Sequence, residues 1–156
     1  MHLVTKSEEN ANLIAGKEIY LLLGGTGAGK STTVQYLIGS KMGLKKYITP
    51  SGDQLEYIGV IEYNKDCNMD DMKEIKMSPA SKSCTTYIKT IKFTWDDTEF
   101  IICDSPGLED TRGSELDIAN IHGVIYAAKK CKAITPVIII SQKGLEERMI
   151  GLKKIA

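Results

Sequence analysis

Eight consecutive residues, Gly24-Gly25-Thr26-Gly27-Ala28-Gly29-Lys30-Ser31, spell G-x-x-x-x-G-K-[ST]. Glycines at these places let backbone N–H groups converge on an anion without Cβ clashes. A lysine after the last glycine reaches the β- and γ-phosphates of a nucleotide, and the serine hydroxyl after it is a ligand for Mg²⁺. The chemistry indicated is the grip of a phosphate chain together with magnesium. Thr32 and Thr33 follow. Thr32 stands at the margin of the phosphate-binding set, and both threonines suit helix packing better than ligation.

A second group is built around Asp104, 73 residues after Ser31. Phe100-Ile101-Ile102-Cys103-Asp104 is an apolar run that closes on a carboxylate, and Asp104-Ser105-Pro106-Gly107 reads D-x-x-G. An aspartate at a strand end holds Mg²⁺, often through a water. Gly107 can offer its backbone N–H to a γ-phosphate and flex when that phosphate leaves.

These residues need elements to position them. Glu18–Leu23 is a β-branched and leucine run that stops at Gly24-Gly25, the pattern of a buried strand. Ser31–Ile38 then shows helical spacing at Val34, Leu37 and Ile38 and closes at Gly39. Strand, glycine loop and helix in direct succession are the context the motif requires. Tyr87–Trp95 and Thr98–Cys103 read as an antiparallel hairpin turning at Asp96-Asp97. Glu115–Lys130 reads as a helix with lysines at its C-terminal end, Pro136–Ile140 as a buried strand, and Gly144 onward as a further helix. Residues 40–83 carry the weakest pattern, with a strand at Tyr57–Tyr63 and a short helix at Met69–Met77. Within them DCNMDD has the look of a calcium loop. It lacks the turn glycine, because Asp71 stands there, and Met77 occupies the position of the closing glutamate, so it reads as a solvated loop. Strands alternating with helices imply an α/β layer fold with a mainly parallel sheet.

With D-S-P-G added to the glycine loop, the sequence resembles the translation-factor-related class of P-loop GTPases, and DSPGLEDTRG is most similar to the second switch of septins and immunity-associated GTPases. The resemblance covers residues 18–156 apart from 40–80. It implies a three-layer P-loop NTPase fold, with a mainly parallel sheet and one antiparallel hairpin. Residues 1–17 would be an N-terminal extension, and 18–156 a G domain with an insertion around 40–80. It also implies GTP as ligand, with Mg²⁺ as cofactor. A switch threonine would come from Ser81-Lys82-Ser83-Cys84-Thr85-Thr86, with Thr85 the candidate and Thr86 the fallback. The phosphate-binding set is then Gly24, Gly25, Thr26, Gly27, Ala28, Gly29, Lys30, Ser31 and Thr32. The metal set is Ser31, Thr85 and Asp104, and Lys30, Thr85 and Gly107 would serve hydrolysis.

Two departures qualify this. Leu108 stands where Ras-like proteins carry a water-orienting glutamine, so hydrolysis would be slow. It would need Glu109, Asp110, Arg112, a partner protein or a second protomer across the nucleotide face. The guanine-reading N-K-x-D is absent: Ser141-Gln142-Lys143 is followed by no aspartate two places on, where Leu145 stands. On the resemblance, the chain is the N-terminal part of a G domain, incomplete at its C-terminus. Two other readings remain open, a nucleotide-binding interaction module without catalysis and a P-loop ATPase or kinase. An ATPase would more often carry a glutamate where Ser105 follows Asp104.

Composition narrows the partners. The 156 residues carry 20 basic and 20 acidic side chains with no long block of one sign, which argues against nucleic acid or an anionic membrane recognised by bulk charge. The four cysteines are widely spaced with no C-x-x-C pair, the pattern of reduced thiols in the cytoplasm, and Cys103 sits in an apolar run as a buried hydrophobe. No stretch approaches the ~20 apolar residues that span a bilayer, and the first residues lack the apolar block of a signal peptide. His2 and His122 have no nucleophile beside them in sequence and offer no rival site.

Overall fold

EIYLLL forms β1 (Glu18–Leu23) because its alternate side chains reach two different apolar layers. Ile19 and Leu21 point into one cluster with Ile14, Ile88, Ile101, Cys103 and Ala127. Leu22 points into the other, with Val34, Ile38, Met72, Ile75, Ile91 and Ile102. A strand buried on both faces belongs at the centre of a sheet, and β1 is central. It runs parallel to β5 (Thr98–Asp104), with Leu22 beside Asp104, and parallel to β6 (Ala133–Ile138), with Leu23 beside Ile138. β4 (Lys89–Trp95) joins antiparallel to β5, with Lys89 opposite Asp104, giving the order β4-β5-β1-β6.

The structure is a computed structural model that describes residues 12–77, 85, 87–107 and 114–141; of residues 114–120 it gives the backbone only. Three helices complete it: α1 (Lys30–Leu37), α2 (Met69–Glu74) and α3 (Ser114–Lys130). Val34 of α1 and Met72 of α2 cover one face of the sheet, and Ala127 of α3 covers the other. Between α1 and α2 the chain builds a separate two-stranded antiparallel sheet, β2 (Lys41–Ile48) and β3 (Gln54–Glu62).

The expectation of a three-layer P-loop NTPase fold is corrected here. The described residues make a small mixed-sheet domain of six strands and three helices. Two of the six strands pair only with each other, and the main sheet has two parallel pairings and one antiparallel one. Helical cover by the described residues is also partial. Beyond Leu37 the α1 face of the sheet is an open apolar groove of about 350 Å³, lined by Tyr20, Phe93, Trp95, Phe100 and Val137 among others. The reason lies in residues 40–62. They pair with each other along a hairpin, with Lys46 in register opposite Glu56 and Lys41 opposite Glu62, instead of extending the main sheet.

Element bounds otherwise follow the sequence reading closely. β1 has the expected limits, and α1, β4, β5 and α3 differ from expectation by two residues or fewer at each end. β6 begins and ends earlier than Pro136–Ile140. The Tyr57–Tyr63 strand is the second half of β3, and the Met69–Met77 helix is shorter, ending at Glu74. β2 was not anticipated. The helix expected from Gly144 lies outside the described residues. No described helix is long and apolar enough to cross a membrane.

Candidate functional site

The loop from Gly24 to Gly29 carries the chain from the end of β1 into α1. Gly29 sits at the N-cap of α1 with φ 98°, a left-handed conformation that a Cβ would strain, and it contributes no side-chain cap. The first N–H groups of α1 therefore have no side-chain oxygen to satisfy them, which leaves the positive end of the helix open to an anion. Lys30, the first residue of α1, is buried. Its Nζ donates to the carbonyls of Gly24 and Gly25 at 2.9 and 3.0 Å, folded across the loop.

Facing this loop is the C-terminal end of β5. Ser31 Oγ donates to Asp104 Oδ2 at 2.7 Å, and Thr85 Oγ1 donates to the same oxygen at 3.2 Å. The two hydroxyls are 3.4 Å apart. Three residues from a helix, a strand entry and a strand end thus converge on one point. Asp104 is fully buried, yet among the described residues its other oxygen, Oδ1, has no hydrogen-bond partner. Burial pushes the Asp104 carboxyl above the usual carboxylate range; bonds from Ser31 and Thr85 and the charges of Lys30 and Lys89 only partly oppose this. Burial likewise pulls the Lys30 ammonium below its ordinary value, with Asp104 acting in the other direction.

A buried carboxylate with one unpartnered oxygen and two hydroxyls around it is an oxygen-only donor set short of positive charge. That suits Mg²⁺, which takes few protein ligands and keeps waters and phosphate oxygens for the rest. No group of three or more His, Cys, Asp or Glu residues able to hold a metal occurs among the described residues.

Gly107 closes the arrangement. A Cβ there would lie 2.7 Å from Thr26 Cα and 2.8 Å from Thr26 N, and would also strike Thr26 Oγ1. Only glycine lets the D-S-P-G segment lie this close to the glycine-rich loop. Thr26 Oγ1 is itself buried without a partner among the described residues. Ser105 Oγ donates to the Leu22 carbonyl at 2.5 Å and fastens the segment to the end of β1.

The structure therefore brings together Gly24 to Ser31, Thr85, Asp104 and Gly107. Thr32 is half-buried on α1, and the hydrogen bonds that gather the site do not include it. Thr86, Leu108, Glu109, Asp110 and Arg112 lie outside the described residues. Two contributors escaped the sequence reading. Ser105 was weighed only as the place where an ATPase would more often carry a glutamate, and Lys89, buried opposite Asp104, fell within the expected strand Tyr87–Trp95 with no site role assigned. The DCNMDD stretch has a structural use: Asn68 caps α2, its side chain accepting from the N–H groups of Asp70 and Asp71.

Compared with models of known protein families the chain matches none, and comparison with curated proteins gives no match either.

Proposed function

We propose that this chain binds the phosphates of a nucleoside triphosphate together with Mg²⁺, with a guanine nucleotide as the ligand, and acts as a slow GTPase of the switch or assembly kind. One observation carries the reading. Ser31, Thr85 and Asp104, far apart in sequence, place their oxygens within 2.7 to 3.4 Å of one another beside an uncapped helix start and a buried lysine. Ser31, Thr85 and Asp104 would hold the metal, directly or through water. Bound there, Mg²⁺ would neutralise phosphate charge and orient the phosphate chain. The loop amides and Lys30 would take the phosphates, Lys30 exchanging its two carbonyl contacts for phosphate oxygens. Gly107 N–H and the Thr85 hydroxyl would register the γ-phosphate.

The preference for guanine rests on the likeness of D-S-P-G-L and the threonine segment to GTPases. Water activation would come from a second protomer or a partner protein across the nucleotide face, since Leu108 stands where a water-orienting glutamine would be. Cys67, Cys103 and Cys131 are free thiols, which supports a reducing, cytoplasmic setting.

Titration with fluorescent guanine and adenine nucleotides, with Mg²⁺ and with chelator, tests the proposal. Guanine nucleotides bind more tightly, and Lys30→Ala weakens binding by at least a hundredfold, the scale of losing a buried charge-assisted contact. Tighter adenine binding, or binding indifferent to Lys30→Ala, would sink it. Single-turnover phosphate release then separates slow hydrolysis from binding alone.

A further inference from the structure

We propose that Glu74 is a positioning residue for Thr85, so that the contact between the end of α2 and the start of β4 sets how strongly the site distinguishes a nucleoside triphosphate from a diphosphate. The inference rests on the nucleotide reading above and goes beyond it by assigning that discrimination to a residue outside every motif.

Glu74 ends α2 and holds the strand entry at two points. Tyr87 Oη donates to its carboxylate at 3.0 Å, and Lys89 Nζ donates to its backbone carbonyl. Both donors are buried, and the Lys89 ammonium lies 5.6 Å from the Tyr87 ring centroid, so the three groups form one unit. Two residues before Tyr87 is Thr85, whose hydroxyl reaches Ser31 and Asp104. Lys89 stands opposite Asp104 in the β4–β5 register. Glu74 therefore holds Tyr87 and Lys89, the described residues that follow Thr85 into the sheet.

α2 is itself firmly placed. Met72 and Ile75 are buried against Val34 and Ile38 of the α1 region. Gln35 of α1, fully buried, donates through Nε2 to the Met72 carbonyl at 2.8 Å and accepts from Ser40 Oγ at 2.9 Å. Rigid contacts thus run from α1, which begins with Lys30 and Ser31, through α2 to the segment bearing Thr85. Thr85 meets only the outermost phosphate in this scheme, whereas the loop and Lys30 hold the inner ones. Loosening Glu74 should then weaken triphosphate binding and spare diphosphate binding.

The experiment titrates the intact chain with a fluorescent guanosine diphosphate and a non-hydrolysable guanosine triphosphate analogue, in Mg²⁺. Wild type, Tyr87→Phe, Glu74→Ala and Glu74→Gln are compared, each with a melting curve. Tyr87→Phe keeps the ring under Lys89 and loses only the hydroxyl. It and Glu74→Ala lower triphosphate affinity by roughly tenfold, the scale of one hydrogen bond to a charged group, and leave diphosphate affinity within about twofold. Glu74→Gln still accepts from Tyr87 and keeps the wild-type ratio. An unchanged ratio in Tyr87→Phe, or a parallel fall in both affinities, overturns the inference while the nucleotide site stands. If Glu74→Ala fails to fold, the ratio in Tyr87→Phe decides alone. A wild type that binds neither nucleotide overturns both readings.

Discussion

β2–β3 and β4–β5 are antiparallel hairpins of similar length, and they show how differently the same device can be used. In β5 the last four residues, Ile101 to Asp104, are all buried, because β1 pairs along one edge and apolar clusters lie on both faces. In β2 no residue is buried, and in β3 only Gly59 and Val60 are. Leu44, Ile48, Ile58 and Ile61 are exposed on that free ribbon. A lone two-stranded hairpin is marginal in water, whereas one side of a larger sheet is held by its neighbours. The rigid hairpin is the one whose open end carries Lys89 and Asp104 to the site. The lysines at 41, 45 and 46 discourage a foreign strand from pairing with the free ribbon.

The sharpest way to break the contrast is one substitution made in both hairpins. Ile91→Ala, on β4 at 1% exposure, should cost about 2–5 kcal/mol in urea unfolding, the range for truncating a buried isoleucine. Ile58→Ala, on β3 at 51% exposure, should cost well under ~1 kcal/mol. Equal costs would mean that β2–β3 is packed as firmly as β4–β5.

A second measurement uses pH. Because burial raises the Asp104 carboxyl in the folded chain, its contribution is fully present below the unfolded value near 3.8 and is lost as pH rises through the folded value. Without divalent cations, stability should fall across that window, added Mg²⁺ should restore it at neutral pH, and Asp104→Asn should flatten both responses. A wild type and an Asp104→Asn variant with the same pH profile and the same response to Mg²⁺ would refute this.

The smallest effect concerns the β4–β5 turn. Asp96 and Asp97 both have positive φ, 48° and 59°, a conformation that two-residue turns usually give to Asn-Gly. Asp97→Gly should relieve the strain and raise stability by roughly 0.5–1 kcal/mol, read as a higher Tm. The comparable change in the five-residue connection of β2–β3, where Gly52 already has φ 91°, has nothing to relieve.

The contrast between hairpins also marks what was legible beforehand. The site was written in local signals: glycines, Lys30 and Ser31 in one run, an aspartate closing an apolar strand, and a glycine three places on. Those patterns fix backbone geometry over a few residues, so sequence order alone placed them. What sequence could not indicate was which edge a strand would join. YIGVIEY reads as a strand in any sheet, and its pairing with KMGLKKYI depends on cross-strand contacts that no local period encodes. That is why a three-layer, mainly parallel arrangement was expected and a mixed sheet with a separate ribbon was found. Lys89 was missed for the same reason, since its burial comes from Glu74 and Asp104, neither adjacent in sequence.

Trp95 is the chain's single tryptophan, 66% exposed at the rim of the open groove and at the opposite end of β4 from Lys89. Six residue steps along the strand separate the two, about 20 Å at the usual rise. The intrinsic emission of this protein should therefore be that of a solvated indole, red in the native state and little altered by events at the Gly24–Ser31 loop. It reports instead on whatever changes the polarity of the aromatic face formed by Tyr20, Phe93 and Phe100, which makes it an optical probe of that face.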